Sequence, residues 1–199
     1  MKSIILYMLP AALWLTNSAP ELSGARVVPE APGLPANGIY RCIDGRIEFT
    51  SNAPLEIIEA KSDRMVGAID PSNQSFAWLV EVISFEGFNS PLQREHFNEN
   101  YLESDRYPRA TFTGKIIEQI DFDQDGVHAV RAKGKLNIHG TEQERIIKGR
   151  LEKKGRKLYL LASFTVPLTD HNISIPKIVH QKIAEEISVT VNAELTYGQ

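Results

Sequence analysis

The sequence predicts an all-β, antiparallel domain, either a sandwich or a closed barrel of roughly eight strands, with a short helical segment or two. Three observations lead there. Apolar and polar side chains alternate over uninterrupted stretches, which places successive residues on opposite faces of a sheet. Gly-, Pro- and Asp-rich turn signals separate those stretches. No strand–helix–strand rhythm of the kind that builds parallel sheets is present.

The chain starts with a positive residue, Lys2, then an apolar run from Ile4 to Leu15 broken only by Pro10. Small and polar residues follow, Thr16 to Ala19 and Ser23 to Ala25. That order predicts a secretory signal over residues 1–25, cleaved after Ala19 or Ala25, and hence a periplasmic or secreted protein. The run is shorter than the ~20 apolar residues a membrane-spanning helix needs, so no stable transmembrane anchor is expected. Residues 26–37 carry Pro29, Pro32 and Pro35 and read as a Pro-rich leader, since closely spaced prolines remove backbone donors. Residues 38–199 remain as one domain, long enough for a real core.

Within that domain, Ile47 and Phe49 alternate with Glu48 and Thr50. The run from Phe76 to Phe85 is apolar on both faces and reads as a strand covered on both sides. The stretch from Asn89 to Arg106 is polar, with a helical turn or two expected between Pro91 and Tyr101. Ala110, Phe112, Gly114 and Ile116 then oppose Thr111, Thr113 and Lys115. The clearest alternation runs from Val130 to Ile138, with Val130, Ala132, Gly134, Leu136 and Ile138 on one face. Leu158, Leu160, Ala162, Phe164 and Val166 form another inward set, although Tyr159 and Leu161 make its outer face partly apolar. Ile178 to Glu186, following Pro176, suggests a helix. Ile187, Val189, Val191, Ala193 and Leu195 close the series. Turns are expected at Asp44-Gly45, Pro71-Ser72-Asn73, Asp123 to Gly126, His139-Gly140 and Lys154-Gly155.

Strands of about twelve residues would extend roughly 40 Å and, tilted by ~40°, form a barrel about 30 Å tall. Several inward positions are small: Ala110, Gly114, Ala132, Gly134, Ala162 and Ala193. Small residues there either thin a tapering barrel or leave room for a ligand, and both readings stand.

Composition excludes some classes. Net charge is −3 and the isoelectric point is near 6.0, with Lys and Arg scattered, which argues against nucleic-acid binding. Cys42 is the single cysteine, so no intrachain disulfide can form, and it reads as a small buried side chain. No Ser or Cys sits in a nucleophile elbow and no Gly-rich phosphate loop is present. His96, Glu99 and Glu103 would share a face if their stretch were helical and could ligate a metal, with Glu95 nearby. His139 could contact a ligand or simply bond its own turn. Asp170 and His171 are adjacent, but adjacent residues on an extended segment point apart.

Three segments, in order, resemble the YceI-like family of bacterial envelope proteins. They are Arg94-Glu95-His96-Phe97 with Asn100-Tyr101-Leu102; Tyr107-Pro108-Arg109-Ala110-Thr111-Phe112; and Gly134-Lys135-Leu136-Asn137-Ile138-His139-Gly140-Thr141. The departures are a missing Val between Gly140 and Thr141, no histidine shortly after Ile47-Glu48-Phe49, and a divergent closing region from Asp170 to Pro176. The resemblance implies an extended, lipocalin-like barrel of eight antiparallel strands in the periplasm that in some members holds an isoprenoid chain. On that basis the preferred reading is a non-catalytic barrel without cofactor or metal, binding an isoprenoid, quinone-like or other lipid. Its wall would include Phe49, Ala110, Phe112, Gly134, Leu136, Phe164, Val189 and Val191, with His96 and His139 contacting a headgroup at the mouth. Two alternatives remain: an envelope interaction protein with a closed core, and a metal-dependent enzyme at His96 and Glu99, with His139 or His171.

Overall fold

The structure, a computed structural model, describes residues 38–198. The expected signal and Pro-rich leader lie outside the described residues. Eight antiparallel strands close into a barrel in simple sequence order, with β1 pairing back onto β8. They are β1 Ile39–Asn52, β2 Ile57–Asp70, β3 Ser75–Glu81, β4 Arg109–Ile116, β5 Gly126–Ile138, β6 Thr141–Lys154, β7 Lys157–Pro167 and β8 Glu186–Gly198. The barrel, rather than the sandwich, is the form adopted, with every strand bonded to a neighbour on both sides over at least part of its length.

Strand direction sorts the connections onto two ends. One end carries the β1–β2 turn, the long β3–β4 connection, the β5–β6 turn and the β7–β8 connection. The other carries the β2–β3 and β6–β7 turns and the β4–β5 loop.

Alternation survives two compensating irregularities. Between Cys42 and Gly45 strand β1 holds one extra residue, and between Ser62 and Met65 strand β2 holds one, as their register shows. Each bulge flips the face that follows it. Tyr40 and Cys42 therefore join the core, and so do Ile47 and Phe49 further along.

Three expectations need correction. The turn expected at Asp44-Gly45 is instead the bulge inside β1, which runs on through it to Asn52. The strand expected to run to Phe85 ends at Glu81 and is followed by a 3-10 turn, Val82–Ser84. The chain turns there because the Val82 N–H donates to Pro108 O and the Ser84 hydroxyl bonds Ser62 across the strand (2.6 Å). Over the strand itself both faces are buried, Phe76 and Val80 inside, Ala77 and Leu79 outside. The helix expected from Ile178 to Glu186 is a single 3-10 turn, Lys177–Val179, continued by irregular turns. It cannot grow because Ser51 Oγ captures the Ala184 N–H (2.9 Å) and β8 begins at Glu186. Between Pro91 and Tyr101 the expected turns are present, as helix α1, Pro91–His96, and a π-helical turn, Phe97–Tyr101.

The His139-Gly140 pair forms a two-residue hairpin between Ile138 and Thr141, with φ of 52° and 68°. Positive φ at both central positions defines the type I′ turn that matches strand twist, which leaves no space for an additional residue. Gly140 meets a second demand, since a Cβ there would lie 2.4 Å from the Tyr107 ring.

The closed end is sealed by the β4–β5 loop. Ile120 and Phe122 pack onto the core, and Phe122 meets the Tyr40 ring at 5.8 Å. Gln74 is buried and its Oε1 accepts from the Ile120 N–H (2.8 Å). Lys153, only 7 % exposed, points inward and pairs with Asp125 (3.1 Å), which also accepts from the Gly155 N–H (2.9 Å). Those two donors hold the Asp125 carboxyl below its ordinary 3.8. A carboxylate with a depressed folded pKa contributes stability above its unfolded value, lost as pH falls through the folded one. Asp125→Asn is therefore expected to lower the thermal midpoint at neutral pH by leaving Lys153 buried without its counter-charge. The difference from the parent should shrink below pH 3.8 in thermal scans across pH.

Candidate functional site

Inside the barrel lies a cavity of about 570 Å³. Its wall is built from the inward positions of all eight strands and is almost wholly apolar. Phe49, Ala110, Phe112, Leu136, Phe164, Val189 and Val191 all line it. Gly134 does not. It is buried against β4, where a Cβ on it would lie 2.3 Å from Thr113 O. The paired glycines Gly114 and Gly134 thus let two backbones approach rather than making room for a ligand. The small residues that face the cavity are Ala110, Ala132, Gly149 and Ala162.

The open end is narrowed by an aromatic cluster. Phe97, from the π-helical turn, stacks on Phe49 of β1 (5.4 Å) and meets Phe88 (5.0 Å) and Phe85 (5.8 Å). Helix α1 is set above it by its cap. The Gln93 N–H donates to Ser90 Oγ (3.2 Å), while Gln93 Oε1 accepts from the Asn89 N–H (3.0 Å). Gln93 Nε2 then donates to Glu56 (2.9 Å), fixing the helix to the β1–β2 turn. The aromatic cluster is a layer of contacts without hydrogen bonds, suited to parting for an apolar chain.

Polar groups appear only at the mouth. His96, an expected headgroup contact, is there, beside Glu56, Ser90, Gln93 and Lys182. The last four were missed by sequence reasoning, because they come from a turn, a cap and an irregular segment that carry no period. His139 is not at the cavity. Its Nε2 is bonded to Glu103 (2.6 Å), its Nδ1 to the His171 carbonyl (3.1 Å), and the Tyr107 ring lies edge-on at 4.7 Å. Both nitrogens are committed, so the residue holds the long β3–β4 connection onto the β5–β6 hairpin. Glu103 is thereby drawn away from His96 and Glu99, and no group of three or more His, Cys, Asp or Glu that could hold a metal occurs among the described residues.

Asp170 and His171 do point apart. Asp170 pairs with Arg145 (3.1 Å), and His171, fully buried, bonds the Thr141 carbonyl through Nδ1 (3.0 Å). Nδ1 must carry the proton to donate, leaving Nε2 as a buried lone pair without a hydrogen-bond partner among the described residues. Burial holds the His171 pKa below its ordinary 6.5. Because the folded state resists protonation, stability is full above the unfolded value and falls as pH drops below it. The thermal midpoint is expected to decline below pH 6.5, and His171→Asn to flatten that decline while lowering the plateau. Burial raises the thiol pKa of Cys42, which argues against thiolate chemistry there.

A closed antiparallel barrel sealed at one end, with an apolar interior reached through the other, defines a lipocalin-like class of protein. A YceI-like domain matches residues 45–195, and the chain belongs to that family. Among solved structures, a polyisoprenoid binding domain from Saccharophagus degradans aligns with TM-score 0.66 at 12 % identity, covering 81 % of this chain and 99 % of that one. BcnA of Burkholderia cenocepacia aligns with TM-score 0.63 at 16 % identity, covering 75 % and 95 %. The Campylobacter jejuni YCEI protein aligns with TM-score 0.53 at 14 % identity, covering 96 % and 100 %. A comparison with curated proteins gives no match.

Proposed function

We propose that this protein is an exported, non-catalytic carrier that binds one long-chain lipid, an isoprenoid or quinone-like molecule, inside the barrel. The observation that carries the reading is the 570 Å³ apolar cavity with polar groups confined to its mouth. Its size falls in the range of roughly 300–1,000 Å³ typical of small-molecule sites. Each CH₂ placed there would contribute about 0.8 kcal/mol, so a long chain suits the wall better than a compact polar ligand. His96, Gln93, Glu56 and Lys182 are placed to receive a headgroup. Family membership and the likeness to a polyisoprenoid binding domain support the ligand class. Export, to the periplasm or beyond, is supported by Lys2 and the apolar run Ile4 to Leu15.

The test is extraction of the purified protein with organic solvent and mass spectrometry of the extract. A long-chain lipid near one per protein is expected. A lipid-free protein that also fails to take up a fluorescent polyprenyl probe overturns the reading.

A further inference from the structure

Three separate segments meet at the barrel mouth, and each exposes a large aliphatic side chain. Leu55, in the β1–β2 turn, is 67 % exposed; Leu92, in helix α1, is 57 % exposed; Ile178, in the 3-10 turn after β7, is 92 % exposed. Leaving three such side chains in water is unfavourable, and clustering them at one opening marks an interaction site rather than scattered surface residues.

Hydrogen bonds hold the three segments together. The Leu55 N–H donates to the Gln181 carbonyl (2.8 Å), joining the β1–β2 turn to the segment that carries Ile178. Glu56, the next residue, accepts from Gln93 of helix α1 (2.9 Å). The three side chains are thus carried on a cross-linked rim. The rim is continuous with the interior, since Leu92 lines the cavity and is also exposed. Charge adds a direction. Lys177 and Lys182 flank Ile178 with no acidic residue between them, so the cationic side of the rim is the one that carries Ile178, whereas Glu56 and Glu95 stand beside Leu55 and Leu92.

We infer that this rim docks the open end of the barrel onto an anionic lipid bilayer, inserting Leu55, Leu92 and Ile178 among the acyl chains. The inference rests on the cavity being a lipid site. An occupant of that kind resides in a bilayer, and the rim surrounds the route it must take. A bilayer fits better than a protein partner because the side chains stand on two separate turns and a short helix instead of forming one flat face. Aliphatic tips below the headgroups, with lysines level with the phosphates, match the layering of a membrane interface. Docking would let a chain pass from bilayer to cavity without crossing water, through the aromatic layer of Phe49, Phe88 and Phe97.

The test places an environment-sensitive fluorophore on the full chain at Gln181→Cys, beside the rim, or at Gln119→Cys, on the closed end. Buried Cys42 stays unlabelled. Each protein is mixed with vesicles of phosphatidylglycerol and phosphatidylcholine, or of phosphatidylcholine alone. A blue shift at position 181 but not at 119, stronger with the anionic vesicles, is the expected result. Combining Leu55→Ser with Ile178→Ser should weaken the vesicle response about tenfold, since such binding scales with inserted apolar area. Equal response at both positions, no response, or an unchanged response in the double variant overturns the inference. Uptake of a polyprenyl probe without vesicles is measured in parallel. Uptake without docking leaves the carrier reading standing and ends this one; docking without uptake does the reverse.

Discussion

Ala132→Trp is expected to empty the barrel without unfolding it. Ala132 lies on β5 at mid-barrel, paired with Ile116 on one side and Ile147 on the other, and its side chain faces the cavity. An indole there would project into open space rather than into a filled core, so the overpacking cost that usually attends small-to-large changes is largely avoided. It would occupy wall that a lipid chain otherwise contacts. Displacing about four CH₂ groups at ~0.8 kcal/mol each removes about 3 kcal/mol, a loss of affinity on the order of a hundredfold. Titration with a fluorescent polyprenyl probe reads that loss, and the thermal midpoint checks the fold. Ala129→Trp, on the outer face of the same strand, is the control and should bind as the parent does. If Ala132→Trp retains full affinity, the ligand does not sit in the barrel.

The fold was legible where alternation is unbroken and obscured where the barrel bends. Strands β4, β5, β7 and β8 stand out because their inward residues are apolar throughout. Strand β2 hides itself: the extra residue between Ser62 and Met65 moves the inward set from Ile58 and Ala60 to Met65 and Ile69, so no single period covers it. Strand β6 hides for a different reason. Its ends turn Gln143, Arg145 and Lys153 toward polar partners at the barrel's two rims, and only Ile147, Gly149 and Leu151 keep the apolar signal.

The site was legible on the same terms. Wall residues carry the period of their strands, so Phe112, Leu136 and Val191 could be read directly. Mouth residues are placed by turns and caps that depend on tertiary contacts. Glu56 is at the mouth because helix α1 is bonded to it, and Lys182 because the segment after Lys177 fails to become a helix. His139 shows the converse. Its place in a family-like motif suggested a ligand contact, whereas its partners, Glu103 and the His171 carbonyl, come from 36 and 32 residues away. Nothing local could announce them.

Gly114→Ala should damage the barrel more than its single added methyl suggests. A Cβ on Gly114 would lie 2.1 Å from Lys133 O and 2.5 Å from the Gly134 Cα. Both obstacles are backbone, so no side chain can swing aside. Relief requires β4 to move away from β5, and β4, eight residues long, is the link between β3 and β5. Parting them would open the ring and expose two unpaired edges. The expected cost is about 3 kcal/mol, at the upper end for overpacking, or roughly 6–12 °C in thermal midpoint for a domain this size. Gly126→Ala, on the partner strand β5, is the comparison. There a Cβ would meet nothing closer than His128 Nε2 at 3.6 Å, so little change is expected. Urea unfolding followed by far-UV circular dichroism measures both. A Gly114→Ala protein within about 0.5 kcal/mol of the parent would mean that the close approach of β4 and β5 relaxes freely, and that the two glycines are not what allows the barrel to close.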